Sequence, residues 1–155
     1  MELILWRHAD AEDHAQGGDI ARALTRKGRK QAERMAEWLR PLVGGQWRIL
    51  ASPARRALET VKPLDRPFEE CEAVGLSATV ESVLEAADWP SGERPVIVVG
   101  HQPTLGQVVA RLLGDREGDV SVRKGAIWWF ETRSRGGDPE VVLKCVMEPD
   151  LLPER

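Results

Sequence analysis

The stretch that decides the predicted fold is Met1-Glu2-Leu3-Ile4-Leu5-Trp6-Arg7-His8. Its apolar residues predict a short buried strand that ends at Trp6, after which the chain turns polar. Two later runs, residues 47–51 and 95–100, have the same β-rich character. The second contains Val96-Ile97-Val98-Val99 without polar alternation, which is typical of a central parallel strand covered on both faces.

Helical patterns separate these strands. Apolar residues recur at helical spacing over residues 25–43, and a further helix is expected over residues 79–87. Ser52-Pro53 predicts a helix start with Ser52 as the N-cap and Pro53 at the first helical position, and Pro63 ends that helix. After the third strand, a stripe at helical spacing predicts one more helix, formed by Leu105, Val108, Val109, Leu112 and Leu113.

The C-terminal part of the chain predicts a hairpin. Residues 126–131 and 141–147 read as strands joined by the turn Gly136-Gly137-Asp138-Pro139. Strands that alternate with helices indicate an α/β fold in a single domain, residues 1–155, with a mostly parallel central sheet and helices on both faces. Some antiparallel pairing is expected near the C-terminus, and residues 9–24, 63–78 and 133–139 are expected to be irregular.

Composition narrows the class of protein. The chain has 155 residues, of which 42% are hydrophobic and 30% charged, as in folded globular proteins. A formal net charge of −3 argues against a general binder of nucleic acid or anionic membranes. No apolar stretch approaches the length of a membrane span, so the cytoplasm is the expected location. Cys71 and Cys145 are expected to be free thiols, and the three histidines are too scattered to suggest a metal cluster.

Groups suited to one anion follow three predicted strands. His8 comes after the first strand, Arg55-Arg56 after the second, and His101 ends the third. Because ligands of parallel sheets bind beyond the carboxyl ends of the strands, these side chains are expected to converge. Guanidinium groups bind phosphoryl oxygens with planar, bidentate geometry, and an imidazole can attack phosphorus or donate a hydrogen bond. The sequence therefore predicts a phosphoryl site at this edge of the sheet.

Three motifs together resemble the signatures of the histidine phosphatase (phosphoglycerate mutase-like) superfamily. They are Arg7-His8-Ala9, Ser52-Pro53-Ala54-Arg55-Arg56-Ala57-Leu58-Glu59-Thr60 and Gly100-His101. The turn over residues 24–28 and the short chain are similar to SixA-type phosphohistidine phosphatases, which implies a phosphoglycerate mutase-like fold without a large cap insertion. The commonest first signature of the family is Arg-His-Gly, whereas this chain has Ala9. In the second signature of the family, the arginine lies four residues after the serine and four residues before the threonine. This spacing selects Arg56, between Ser52 and Thr60, rather than Arg55.

The resemblance and the chemistry imply the same two-step reaction. Neutral His8 attacks phosphorus, and water then hydrolyses the phosphohistidine intermediate. Arg7, Arg56 and His101 would hold the non-bridging oxygens, so neither a metal nor another cofactor is expected. The second ring nitrogen of His8 is expected to donate to a fixed acceptor such as a backbone carbonyl. Arg22 is either an additional phosphate contact or a surface arginine.

The proton donor for the leaving group is not singled out by spacing. Candidates are Asp10, Glu72, Glu81 and Glu85. SixA-type proteins resemble this chain in having no acid at the usual family position, and a phosphoramidate leaving group tolerates this better than an alcohol. The favoured substrate is therefore phosphohistidine in a protein partner, with oligomeric state left open. The alternatives are a small-molecule phosphomonoesterase and a non-catalytic phosphate-binding pseudo-phosphatase; a mutase is disfavoured because the chain is too short for a cap.

Overall fold

One six-stranded sheet organises the computed structural model, which describes residues 1–134 and 136–154. Its strands run in the order β3-β2-β4-β1-β5-β6. They are β1 (Glu2–Arg7), β2 (Arg48–Ala51), β3 (Glu69–Glu70), β4 (Val96–Gly100), β5 (Ile127–Arg133) and β6 (Glu140–Met147). The first four are mutually parallel, β5 pairs antiparallel with β1, and β6 pairs antiparallel with β5. The mostly parallel sheet with a C-terminal antiparallel hairpin is confirmed.

Helices cover both faces of the sheet. They are α1 (Arg26–Leu39), α2 (Arg55–Val61), α3 (Val80–Ala86) and α4 (Thr104–Leu112). On β1, Ile4 and Trp6 face the core shared with α1 and α2, whereas Leu3 and Leu5 face the core shared with α3 and α4. Because both faces of β1 are buried, its apolar run shows no alternation. The predicted two-sided α/β fold is confirmed, and its central strands and helices match the sequence patterns to within a few residues.

Two local predictions are wrong. Ser52 does not cap α2, because that helix begins at Arg55 with Ala54 at the N-cap position. The Ser52 hydroxyl is instead engaged by His101, 49 residues away in sequence. The two-residue strand β3 was not expected, because Glu69 and Glu70 are exposed and carry no apolar pattern; β3 exists only through its pairing with β2.

The two adjacent tryptophans of β5 lie on opposite faces of the sheet. Trp129 is buried and packs edge-on against Trp47 with ring centroids 5.6 Å apart, while Trp128 lies half-buried on the opposite face of β5. Cys71 and Cys145 are free and partly buried. Within residues 1–134 and 136–154, no helix is long and apolar enough to cross a membrane.

A glycine in the first turn of α1 lets this helix approach the loop behind β1. Thr25 caps α1 by accepting a hydrogen bond from the Gly28 amide, and the Thr25 amide donates to the Asp10 carbonyl. A Cβ atom added at Gly28 would overlap that same Asp10 carbonyl oxygen. Glycine is therefore required here by backbone contact, although it is a poor helix former.

We expect Gly28→Ala to lower the free energy of unfolding by about 1–3 kcal/mol, because the overlap outweighs the better helix propensity of alanine. Gly45→Ala is the matched control, since a Cβ at Gly45 meets nothing within 4 Å. Its effect should stay within about 0.5 kcal/mol in either direction. Urea unfolding of both variants measures the difference, and a stabilised Gly28→Ala protein would show that the helix and loop are not in close contact.

Candidate active site

The ends of β1 and β4 bring two imidazoles together. Arg7 pairs with Gly100 in the parallel register, and the His8 amide donates to the Gly100 carbonyl at 3.1 Å. His8 and His101 follow these paired residues directly. Their ring centroids lie 5.2 Å apart, and both residues are buried. The convergence predicted from the strand ends is therefore present in the structure.

A pocket at this edge of the sheet collects the predicted residues. Arg7, His8, Arg22, Arg56 and His101 all line it. Arg56 lies in the first turn of α2 with its side chain 6% exposed, whereas the Arg55 side chain is 58% exposed and pairs with Glu59. Of the two adjacent arginines, Arg56 thus lines the pocket and Arg55 faces solvent, as the family spacing predicted.

The hydrogen bond of His8 fixes which ring nitrogen carries its proton. Nδ1 lies 2.8 Å from the carbonyl oxygen of Ala9, which can only accept, so Nδ1 is the donor. Burial lowers the pKa of His8, the hydrogen bond to Ala9 opposes this effect, and the neighbouring His101, Arg56 and Arg7 add to it, so that the pKa is about 3. The ring is therefore neutral at physiological pH, with an unprotonated Nε2. This matches the expected tautomer of a nucleophilic histidine.

Ser52 orients the second imidazole. Its hydroxyl oxygen lies 2.7 Å from Nε2 of His101 and accepts a hydrogen bond from the Ala54 amide at 3.2 Å. Burial lowers the pKa of His101 to about 4, so this ring is also neutral near pH 7. Because Nε2 is the acceptor that the described residues offer to the Ser52 hydroxyl, we infer that the hydroxyl donates to Nε2 and that His101 carries its proton on Nδ1. This arrangement gives the Ser52 hydroxyl both a donor and an acceptor, and it leaves His101 Nδ1 without a partner among the described residues.

Three buried nitrogen atoms of the pocket residues have no hydrogen-bond partner within the described part of the chain. They are Arg7 Nε, Arg56 Nε and His101 Nδ1. Arg7 is anchored by its Nη1 donating to the Val122 carbonyl at 2.9 Å. Buried donors normally have acceptors, so a pocket with several unpartnered donors is suited to a ligand rich in acceptor oxygens. A phosphoryl group has this chemistry.

Asp19 is a pocket residue that the sequence did not reveal. Its carboxylate lies 3.1 Å from Arg56 Nη2 and 2.8 Å from Arg22 Nη1, and its carbonyl accepts from Arg56 Nη1. The hydrogen bond from Arg22 lowers the pKa of Asp19, burial opposes it, and the hydrogen bond and charge of Arg56 lower the pKa further. Arg22 therefore lines the pocket as a partner of Asp19 and is not an isolated surface arginine.

Lys124 and Asp13 also line the pocket and were missed. Lys124 is held by Asp10, with the two charged groups 2.9 Å apart. The only local signal is the basic pair Arg123-Lys124 before β5, and such a pair is usually a solvated surface feature. Among residues 1–134 and 136–154, no group of histidine, cysteine and carboxylate side chains could hold a metal ion.

None of the four carboxylates considered as proton donors lines the pocket. Burial raises the pKa of Asp10, but hydrogen bonds from Thr25 and Lys124 outweigh it and lower the pKa overall. Glu81 lies on α3, where a backbone hydrogen bond and Arg111 lower its pKa. Glu72 and Glu85 are exposed. The structure therefore favours none of the four as a general acid, since a general acid for ester cleavage needs a raised pKa within the pocket.

The two buried imidazoles make stability depend on pH. Because the pKa values of His8 and His101 are about 3 and 4 in the folded protein, an unfolded chain binds protons below about pH 6.5 that the folded chain does not. Stability should therefore fall as pH falls, by at most roughly 2 kcal/mol per histidine at pH 5. Urea unfolding at pH 7 and pH 5 measures this loss in phosphate-free buffer.

Two histidine variants and one control show which imidazole rings cause the loss of stability at low pH. His8→Gln and His101→Gln should each lose less stability between pH 7 and pH 5 than the parent protein. His14→Gln, at an exposed position, should lose as much as the parent. An unchanged pH dependence in His101→Gln would show that this ring is not held neutral.

Comparison with known proteins identifies the family. The model of the histidine phosphatase superfamily (branch 1) matches residues 3–80. The chain is 33% identical over 131 residues to the phosphohistidine phosphatase SixA homolog of Haemophilus influenzae, covering 75% of this chain and 79% of the relative. It is 32% identical over 124 residues to phosphohistidine phosphatase SixA of Escherichia coli K12, covering 72% of this chain and 74% of the relative.

Solved structures show the same fold. A putative phosphohistidine phosphatase SixA from Nakamurella multipartitia superposes with a TM-score of 0.77 at 22% identity, covering 96% of this chain and 95% of that one. The protein histidine phosphatase SixA complexed with tungstate gives a TM-score of 0.75 at 24% identity, covering 97% and 99%. The chain therefore belongs to the histidine phosphatase superfamily, with SixA proteins among its relatives, and is a phosphatase.

Proposed function

We propose that this phosphatase removes the phosphoryl group from phosphohistidine in a protein partner, through a phosphohistidine intermediate on His8 and without a metal. One observation carries the proposal. His8 donates its Nδ1 proton to the Ala9 carbonyl, so its unprotonated Nε2 shares the pocket with Arg7, Arg56 and His101. The SixA relatives carry the name phosphohistidine phosphatase, which supports the same substrate class.

The reaction balances as two displacements at phosphorus. The lone pair of His8 Nε2 forms a new N–P bond while the N–P bond of the substrate breaks, and the substrate imidazole leaves. Water then attacks the phosphorylated His8, which regenerates the neutral ring and releases phosphate. Arg7, Arg56 and His101 Nδ1–H would donate to the non-bridging oxygens, where charge concentrates in the transition state. The fixed positive charge of Arg7 and Arg56 takes over the role that a metal has in other phosphoryl-transfer enzymes.

The proton requirement of the leaving group favours phosphohistidine over a phosphate ester as the substrate. A phosphohistidine ring protonated on its other nitrogen leaves as neutral imidazole and needs no proton from the enzyme. An alkoxide leaving group needs a general acid. The carboxylates that line the pocket among the described residues are Asp13 and Asp19, and Asp19 has a lowered pKa that keeps it ionised. This arrangement supports N–P bond cleavage.

Replacement of the nucleophile is the first test. With a phosphohistidine protein as substrate, we expect quenched enzyme to carry an acid-labile phosphoryl label on His8, and His8→Ala to lose both label and turnover by about 10³-fold or more. Chelation of metals with EDTA should leave the rate unchanged. A faster rate on an aryl phosphate ester would favour the phosphomonoesterase alternative. Phosphate binding without turnover in the parent protein would favour the pseudo-phosphatase.

Ser52 is expected to act as a positioning residue for His101. Ser52→Ala removes the hydroxyl that bonds to His101 Nε2 and should reduce kcat by about 10–100-fold, because the ring can then adopt the other tautomer or turn away from the phosphoryl group. Nitrogen chemical shifts of His101 should show loss of the Nδ1–H form in this variant. Ser77→Ala, at an exposed position, is the matched control. Full activity in Ser52→Ala would contradict this role.

A further inference from the structure

Two adjoining clefts extend from the pocket across the first turns of α1. Arg7 and Lys124 line both the pocket and the first cleft, and Lys27 and Gln31 line both clefts. Beyond Arg7, the described lining holds six cationic side chains: Arg26, Lys27, Lys30, Arg34, Arg123 and Lys124. The carboxylates among the described lining residues are Glu148, Asp150 and Glu154. We call these two clefts the basic groove.

The basic groove is rich in positive charge, although the chain as a whole is negatively charged. The chain carries a formal net charge of −3, yet cations outnumber carboxylates in the described lining of the groove. Arg34 and Arg123 are paired with Glu154 and Glu148 respectively. Lys124 is paired with Asp10, and Asp150 lines both clefts. The remaining excess is carried by Arg26, Lys27 and Lys30 of α1. This surface is suited to an anionic partner that reaches the pocket at the same time.

The first turn of α1 carries positively charged side chains, which the positive end of the helix dipole disfavours. Arg26 and Lys27 occupy the first turn, which contains no acidic residue, although the N-terminus of a helix favours carboxylates. Arg26, Lys27 and Lys30 are exposed, and none of them forms an ion pair with another described residue. The one carboxylate that the described structure places at this helix start is Asp10, which interacts with Lys27 but is already bound by Thr25 and Lys124. The three cations are therefore only partly balanced within the described residues, which leaves them available to an anionic partner.

We propose that the basic groove docks an acidic segment that flanks the phosphohistidine of the protein substrate. This inference rests on the proposed function and adds a surface by which the enzyme would distinguish one phosphohistidine protein from another. A partner whose phosphorylated histidine enters the pocket would place its neighbouring residues over Lys124 and the first turn of α1. Carboxylates there meet Arg26, Lys27 and Lys30, which raises the rate of productive encounter and lowers KM.

Two synthetic peptides of equal length test the proposal, each with one chemically phosphorylated histidine. One has aspartate and glutamate on both sides of the histidine, and the other has lysine. We expect kcat/KM to be about tenfold or more higher on the acidic peptide at low salt, mainly through KM, with the preference shrinking as sodium chloride screens the charges. Free phosphohistidine serves as a substrate too small to reach the groove.

Charge reversal locates the effect on α1. Lys27→Glu and Lys30→Glu, alone and together, should abolish the preference for the acidic peptide and leave the rate on free phosphohistidine unchanged. Glutamate near a helix N-terminus is favourable, so these variants should fold. Lys62→Glu is the matched control, because Lys62 is an exposed lysine at the C-terminal end of α2 and lies outside the groove. It should keep the preference.

The possible outcomes separate this inference from the proposed function. Equal rates on both peptides, or a preference that survives the Lys27→Glu and Lys30→Glu double variant, would overturn the docking surface while the proposed function stands. If the parent protein hydrolyses none of the three substrates, neither the two peptides nor free phosphohistidine, the proposed function itself would be overturned. A fall in the rate on free phosphohistidine in the variants would place these lysines in the pocket and also overturn the docking role.

Discussion

The register between β1 and β4 is the constraint on which the rest of the site depends. With Arg7 opposite Gly100, the residues that follow both strands leave the sheet at the same level, and the His8 amide is held by the Gly100 carbonyl. A slip of one residue would send every side chain of β1 to the opposite face. Both faces are packed, with Ile4 and Leu5 fully buried on opposite sides, so the hydrophobic cores lock the distance between the two imidazoles.

Burial at this edge of the sheet keeps the histidines neutral but leaves the arginines charged. Burial keeps His8 and His101 neutral by lowering their pKa values, whereas a buried arginine stays charged and requires an anionic partner. In this structure Asp19 supplies that partner for Arg56. The Asp19 side chain is 55% exposed and the Arg56 side chain 6% exposed, so the carboxylate reaches water easily and the guanidinium does not. In the proposed reaction, phosphate can therefore replace the carboxylate at Arg56 without leaving a buried charge unpaired.

Sequence reasoning succeeded where the deciding signal is local. The unbroken apolar run at Val96–Gly100 and the stripe on α4 report burial directly, and the position of His101 follows from the end of that run. It failed where distant contacts decide. Ser52 reads as an N-cap, but His101 takes its hydroxyl; Asp19 sits in an irregular loop, and its approach to Arg56 spans 37 residues. No periodicity or spacing encodes such pairings, because they arise only once the sheet has formed.

The character of the pocket wall explains why recognition should extend beyond it. The described lining is mainly charged and polar, with apolar contacts limited to Ala11, Leu76 and Pro103. Such a wall binds a phosphoryl group, which many phosphorylated molecules share, and offers little to the organic part of a small substrate. Discrimination between substrates requires differential contacts that the phosphoryl group alone does not supply. A protein substrate can make those contacts on the surface beside the pocket, so a charged, polar pocket and a protein partner are physically consistent with each other.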